Sequence, residues 1–340
     1  MSAATKRTFS QKEMYNRKKA GGCRRPLLLL PEEKNALWGG DRLYSVKGGA
    51  PRRIAELWVL SVRGDVNTKI ADSTLTLADY IRTVGGDTVA PDYHPDDRFP
   101  LLLKILDAAK PLSVQVHPDD SYAEQVGGDS GKSEMWYVLH AEPKAEILYG
   151  MKNGLTAADF AEAVKEGRTL DAVSARKISA GESYYVPAGL LHALGGGITV
   201  AEIQQNSDIT YRLYDYGRTD QNGQMRELHL VDGLRVLRPY GEDELTVACY
   251  EAANEEPSDR LLADTDKFRV RCVLLDEQFC DCADSYFRAV LALTDLTVQS
   301  QDCILHVPRF HAVFVPAGVG EYTVKGEALV ADADRLLGGQ

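Results

Sequence analysis

Four side chains stand where metal chemistry could be done: Gln115, His117, Glu134 and His192. Gln115 and His117 belong to Leu112-Ser113-Val114-Gln115-Val116-His117-Pro118, where polar and apolar residues alternate. A strand here places Ser113, Gln115 and His117 on one face and Leu112, Val114 and Val116 on the other. A hydroxyl, an amide and an imidazole in a row on a buried face need polar partners. A metal ion together with a polar ligand would supply them. Glu134 follows 17 residues after His117, on what should be the adjacent strand. His192 comes 58 residues later, behind the turn Pro187-Ala188-Gly189. Two imidazoles and a carboxylate suit zinc or another divalent ion, and they leave positions for a fourth ligand and a substrate. A lone His on a strand is more often a satisfied core residue; three such groups, each beside a turn, shift that balance.

Charged groups around this set narrow the chemistry. Lys132 precedes Glu134 by two residues, Glu202 falls on a later strand, and Arg212 and Arg218 lie in Thr210-Tyr211-Arg212-Leu213-Tyr214-Asp215-Tyr216-Gly217-Arg218. Cations near a metal point to an anionic substrate, because the guanidinium fork matches phosphate or carboxylate. Arg218 reads more readily as a surface ion pair than does Arg212, which Tyr211 and Tyr214 flank.

The elements that must position these groups are mostly strands. Candidate strands include Glu56 to Val62, Pro100 to Leu106, Glu134 to Leu139, Ala145 to Tyr149, Ile198 to Gln204 and Thr210 to Tyr214. Thr76-x-x-Asp79 and Thr156-x-x-Asp159 open two short helices in capping-box fashion, with Gly85-Gly86 and Gly167 as their stops. Many short strands with Gly/Pro turns predict a mainly β sandwich or jelly-roll barrel. An internal echo suggests two related barrels: Tyr185-Val186-Pro187-Ala188-Gly189 recurs as Phe314-Val315-Pro316-Ala317-Gly318. His192 lies three residues beyond the first glycine and Glu321 three beyond the second, so the second barrel would lack the ligand set. The polar, acidic stretch from Val236 to about Asp259 reads as the joint. The expected organisation is therefore a basic disordered extension over 1–25, a catalytic domain over 26–235 and a degenerate domain over 236–340.

Composition bounds the class. The chain has 340 residues and a net charge of −11, so nucleic acid is not an expected partner. The charge is uneven: residues 1–25 carry eight Lys/Arg and one Glu, a net of +7 that leaves −18 elsewhere. Such a segment reads as a solvated tail. No apolar run reaches the roughly 18 residues of a membrane span, and the polar N-terminus lacks the apolar core of a signal peptide. Six scattered cysteines fit a reducing compartment, and Cys280-x-Cys282 reads as two small core hydrophobes on a strand. A cytoplasmic monomer is expected.

Four ordered motifs carry a resemblance. Leu112 to Pro118, Lys132-Ser133-Glu134-Met135-Trp136-Tyr137, Val186 to Leu194, and Glu202-Ile203-Gln204-Gln205-Asn206-Ser207-Asp208 through Tyr211-Arg212 look like type I mannose-6-phosphate isomerase, in the short form of Firmicutes. The resemblance runs from about Pro26 to Val330. It implies a mainly β fold of two cupin (jelly-roll) barrels with short helical insertions, one Zn²⁺ per chain and a small sugar-phosphate substrate. It maps the metal ligands onto His117, Glu134 and His192, with Gln115 a ligand in some members, and the active-site arginine onto Arg212. Lys132, Glu202 and a metal-bound water are then candidates for the base. Ser113, Lys132 and Arg218 are candidates for substrate binding. Some longer members carry a His before the Lys of the second motif; here that place is Gly131, so a ring-opening role for such a His does not carry over.

The implied reaction is the interconversion of mannose 6-phosphate and fructose 6-phosphate through an enediol. Two other readings use the same residues. Two His and one carboxylate also form the facial triad of an iron-dependent cupin oxygenase; Gln115, Lys132 and Arg212 speak against it. A non-catalytic sugar-binding cupin would be favoured by a missing ligand, and none is missing.

Overall fold

Strands dominate the chain and the helices are short, as the apolar alternation predicts. The structure, a computed structural model, describes residues 24–338 except 49, 65, 128, 220–221, 241–244, 246–248, 251–257, 275–277 and 302. The expected tail up to residue 23 and much of the acidic joint lie outside the described residues. The end of the tail is corrected: Arg24 is docked. Its guanidinium donates to the Asp87 and Ala317 carbonyls at 2.6 Å each and pairs with the Asp87 carboxylate. Charge-assisted bonds to three acceptors offset the entropy of ordering it. No described helix is long and apolar enough to cross a membrane.

The chain divides into two units, and the division is discontinuous where the sequence suggests a single break after residue 235. One unit comprises Glu33–Leu57 and Lys104–Asn254; the other comprises Met1–Glu32, Trp58–Leu103 and Glu255–Gln340. Strand pairing is the reason. Leu27–Leu30 pairs antiparallel with Ala312–Val315, Leu27 opposite Phe314, and with Lys69–Ile70 on its other side. Early residues thereby complete a sheet built mostly from late ones.

In the unit that includes residues 104–254, two sheets enclose one core. The first runs Val173–Lys177, Glu146–Met151, His192–Leu194, Val114–Val116, Tyr211–Tyr214. The second places Ser183–Val186, Glu134–Ala141, Ile198–Gln205 and Leu101–Ala108 side by side. Trp136, Val138, Val186 and Val200 of the second meet Ile147, Tyr149 and Leu194 of the first. The first sheet's other face carries Val114, Val116, Leu191, Ala193 and Leu213, packed with Phe160 and Ala163 of the helix Ala157–Lys165 and Val236 of the helix Leu230–Val236. With that face filled by helices, the two-residue period turns Gln115, His192 and Arg212 inward. Leu112 departs from the expected alternation. The strand covers only Val114–Val116, and Leu112 joins the inner core with Trp136.

In the other unit, a seven-stranded and a four-stranded sheet enclose Val290, Val313, Val330, Val298, Tyr322 and Val324. The echoed turns share a conformation: Gly189 has φ 89° and Gly318 φ 82°, a region that favours glycine. Beyond them the two copies differ, since His192 is buried and Glu321 exposed. Cys280 and Cys282 are corrected from core to surface-facing. On the strand Phe279–Ala283 the end residues Phe279 and Ala283 are buried, which leaves Cys280 exposed and Cys282 half-buried.

Candidate metal centre

Strand register assembles the site. His192 lies directly opposite Gln115 on one side and Tyr149 on the other, and Gln115 in turn lies opposite Arg212. The Gly189 N–H donates to the His117 carbonyl at 2.8 Å, tying the turn before His192 to the strand end that bears His117. Glu134 begins its own strand, opposite Val186 and Gln204.

One ligand atom from each of His117, Glu134 and His192 comes within 4.8 Å of the others, and all three side chains are buried. His117 Nε2 is 3.5 Å from Glu134 Oε2, and His192 Nε2 is 3.4 Å from Glu134 Oε1. Each ring is oriented from behind. His117 Nδ1–H donates to the Ile209 carbonyl at 2.9 Å, and His192 Nδ1–H donates to the Leu190 carbonyl at 2.8 Å. A carbonyl only accepts, so both Nδ1 atoms carry the proton and both Nε2 atoms present lone pairs toward Glu134. Burial, with the Lys132 charge beside it, pushes the His117 imidazole down to about 4. Burial lowers His192 as well. Both rings are therefore neutral and able to ligate near pH 7. Burial opposes the Glu134 charge, but Lys132, His117 and His192 hold its carboxyl well below the usual range.

Neither Glu134 oxygen accepts a geometrically sound hydrogen bond among the described residues, although both are buried. Two imidazole lone pairs facing a carboxylate, with no proton between ring and carboxylate, make a donor set for a cation. The residues present thus fit a divalent metal. The Gln115 amide N–H donates to His192 Nε2 at 3.3 Å, which brings that amide to the edge of the set.

The remaining expected residues divide by position. Lys132 is buried at the centre, with Nζ 2.9 Å from Glu134 Oε2 and 3.3 Å from His117 Nε2. Ser113 is buried just before the His117 strand. Glu202 is buried one cross-strand step along from Glu134, opposite Trp136. Its Oε1 accepts from Lys104 Nζ at 3.2 Å and its Oε2 from Trp136 Nε1–H at 3.1 Å. Arg212 Nη1–H donates to the Glu227 carbonyl at 2.9 Å, while its buried Nε–H has no partner among the described residues. Burial and then Arg226 draw Arg212 below its usual value. Arg218 is held farther out, pairing with Asp215 and donating to the Pro111 carbonyl at 2.5 Å.

Two features escaped sequence reasoning. Lys104, in the fully buried strand Leu101–Ala108, lies 3.2 Å from Glu202 and 3.8 Å from Glu56. Burial acts to lower its ammonium, yet Glu202, Glu56 and Glu134 outweigh that and hold it at about 12. A single charge inside Leu101-Leu102-Leu103-Lys104-Ile105-Leu106 was the available signal, since a buried charge needs a partner. The second is the reason for Gly131. A Cβ there would stand 2.3 Å from Asp120 N and 2.4 Å from the Asp119 carbonyl carbon, so no side chain fits that position.

Residues 29–142 match the family described as phosphomannose isomerase type I, catalytic domain. The mannose-6-phosphate isomerase ManA of Bacillus subtilis is 39% identical over 220 residues, which span 62% of this chain and 68% of that protein. A crystal structure of the mannose 6-phosphate isomerase from Bacillus subtilis superposes with a TM-score of 0.77 at 28% identity, covering 91% of this chain and 99% of that one. A zinc-bound mannose 6-phosphate isomerase shares the fold, with a TM-score of 0.69 at 14% identity over 91% of this chain and 99% of that one.

Proposed function

The chain belongs to the type I phosphomannose isomerase family and is a mannose-6-phosphate isomerase; from that premise we propose how its residues carry the reaction. The observation that supports the proposal most directly is the convergence of two Nε2 lone pairs and a buried carboxylate at His117, His192 and Glu134. We assign these three as ligands of one Zn²⁺ per chain, with Gln115 as the fourth after an amide flip that exchanges its nitrogen and oxygen. When bound, the zinc supplies a Lewis acid that polarises the sugar oxygens.

The interconversion moves a proton between C2 and C1 through an enediol. Lys132 is the chain's proton carrier, since Nζ is the amine nitrogen beside the ligand set, 2.9 Å from Glu134 Oε2 and 3.3 Å from His117 Nε2. Arg212 stays charged at neutral pH, so its role is to steady the enediolate oxygen through Nε–H, the donor that lacks an acceptor among the described residues. Glu202 has both oxygens engaged by Lys104 and Trp136, which suits orientation better than base work. The phosphate is placed toward Ser113 and Arg218, where Arg212, Arg218 and Arg226 outnumber Asp215 and Glu227. Remote binding there helps hold C1 and C2 in register.

The proposed architecture is two cupin barrels, the ligand set lying in the first. A cytoplasmic monomer acting on a small sugar phosphate, with no nucleic-acid or membrane partner, is consistent with the acidic charge and cysteine usage. The iron oxygenase reading uses the same triad and is not favoured by the relatives.

A coupled assay with mannose 6-phosphate tests the assignment. Chelator should abolish turnover, one equivalent of Zn²⁺ should restore it, and the product formed in deuterated water should carry label from solvent. Full turnover in metal-free protein would overturn the metal role. Two bound ions per chain would overturn the stoichiometry.

A further inference from the structure

Arg212 lies on Tyr211–Tyr214, an edge strand of its sheet, at a point where the register slips between Arg212 and Tyr214. An edge residue leaves backbone polar groups pointing away from the sheet, and these need partners. His229 supplies both. Its backbone N–H donates to the Arg212 carbonyl at 2.7 Å, and the Arg212 backbone N–H donates to His229 Nδ1 at 3.2 Å. A backbone N–H only donates, so the imidazole keeps its lone pair on Nδ1 and, when neutral, its proton on Nε2. Two residues earlier, the Glu227 carbonyl accepts from Arg212 Nη1. One short segment therefore grips Arg212 at its N–H, its C=O and one end of its guanidinium, and leaves Nε–H buried and without an acceptor among the described residues. The segment is itself anchored. The helix Leu230–Val236 begins immediately after His229, and its Val236 packs beneath the same sheet.

We propose that His229 is a positioning residue for the isomerisation. It substitutes for a missing neighbour strand, and its Nδ1 fixes the backbone of Arg212 so that Nε–H meets the sugar oxygen. The inference rests on the enediolate role given to Arg212 above. His229 reaches no reacting atom itself; it acts through Arg212.

Steady-state kinetics on the zinc-loaded full chain separate the possibilities. His229→Ala and His229→Leu should lower kcat by about ten- to a hundredfold, the range expected when a reacting group is misplaced. KM, bound zinc and melting temperature should stay close to those of the parent. His229→Asn, whose Oδ1 can occupy the place of Nδ1, should recover most of the loss, a contrast that survives even if the alanine variant folds poorly. In an Arg212→Ala background, His229→Ala should cost nothing further, since residues acting as one unit are not additive. Full additivity in that background, or normal kcat in His229→Leu while Arg212→Ala is slow, would overturn the positioning role alone. Near-normal kcat in Arg212→Ala itself would overturn the reading of Arg212.

Discussion

Lys132 Nζ stands 2.9 Å from Glu134 Oε2, a buried cation paired with a carboxylate that also faces two imidazole lone pairs. The pair puts a proton-bearing nitrogen beside the ligand set without making it a ligand. Lys132→Met should therefore keep its zinc and lose turnover by about 10²–10⁴-fold, the usual contribution of a positioned acid or base. Metal analysis alongside kcat checks this. A variant that binds no zinc would place Lys132 in the structure of the centre and not in its chemistry.

Arg212→Ala should lower kcat by about 10²–10³-fold with metal content intact, the size seen for loss of one oxyanion donor. Arg212→Lys should recover little, since an ammonium cannot present Nε–H while another arm holds the Glu227 carbonyl. Loss of zinc from either variant would sink the assignment.

Lys104→Met should be strongly destabilising. It leaves Glu202 and Glu56 without their shared cation, and removal of one partner from a buried ion pair costs about 3–5 kcal/mol. Adding Glu202→Gln should return part of that stability by removing the stranded charge. Urea unfolding of the two variants and the parent measures both effects; a Lys104→Met protein as stable as the parent would contradict the network.

Thr76→Ala tests the capping box at the start of Leu77–Val84. Thr76 Oγ1 accepts from the Asp79 N–H at 3.1 Å, and the Asp79 carboxylate accepts from the Thr76 N–H at 3.1 Å. Loss of the cap should cost about 1 kcal/mol at neutral pH. The Thr76 bonds lower the Asp79 pKa from its ordinary value of 3.8. A carboxylate with a lowered folded pKa contributes stability above 3.8 and loses it as pH falls through the folded value. The gap between parent and variant should therefore narrow in acid below that point, as read by melting curves across pH 2–7. An unchanged gap would mean that the Asp79 charge plays no part.

Deletion of residues 1–23 should leave melting temperature and turnover unchanged, because that segment is basic and has little apolar periodicity to bury. Arg24→Ala should lower the melting temperature, since Arg24 bridges Asp87 and the Ala317 carbonyl. Equal losses from both changes would show that the tail itself contributes to the fold.

Local pattern carried much of this protein. Alternation around Val114–Val116 set Gln115 on the face opposite Val114 and Val116, as the strand period requires. Thr–Asp spacing located two helix starts, and the Pro-Ala-Gly echo marked two turns whose glycines the structure shows to share a left-handed conformation. Pairing between distant segments was decided only in three dimensions. Lys104 meets Glu202 from 98 residues away, and Leu27 pairs with Phe314, so the chain divides where no composition change marks a boundary. Cys280 and Cys282 face outward because Phe279 and Ala283 occupy the inner positions of their strand. His229 looks ordinary in sequence; its importance comes from an edge strand whose register slips at Arg212 and leaves two backbone groups to satisfy. Residue type and period determine which side chains share a face, whereas long-range register determines which of those faces meet.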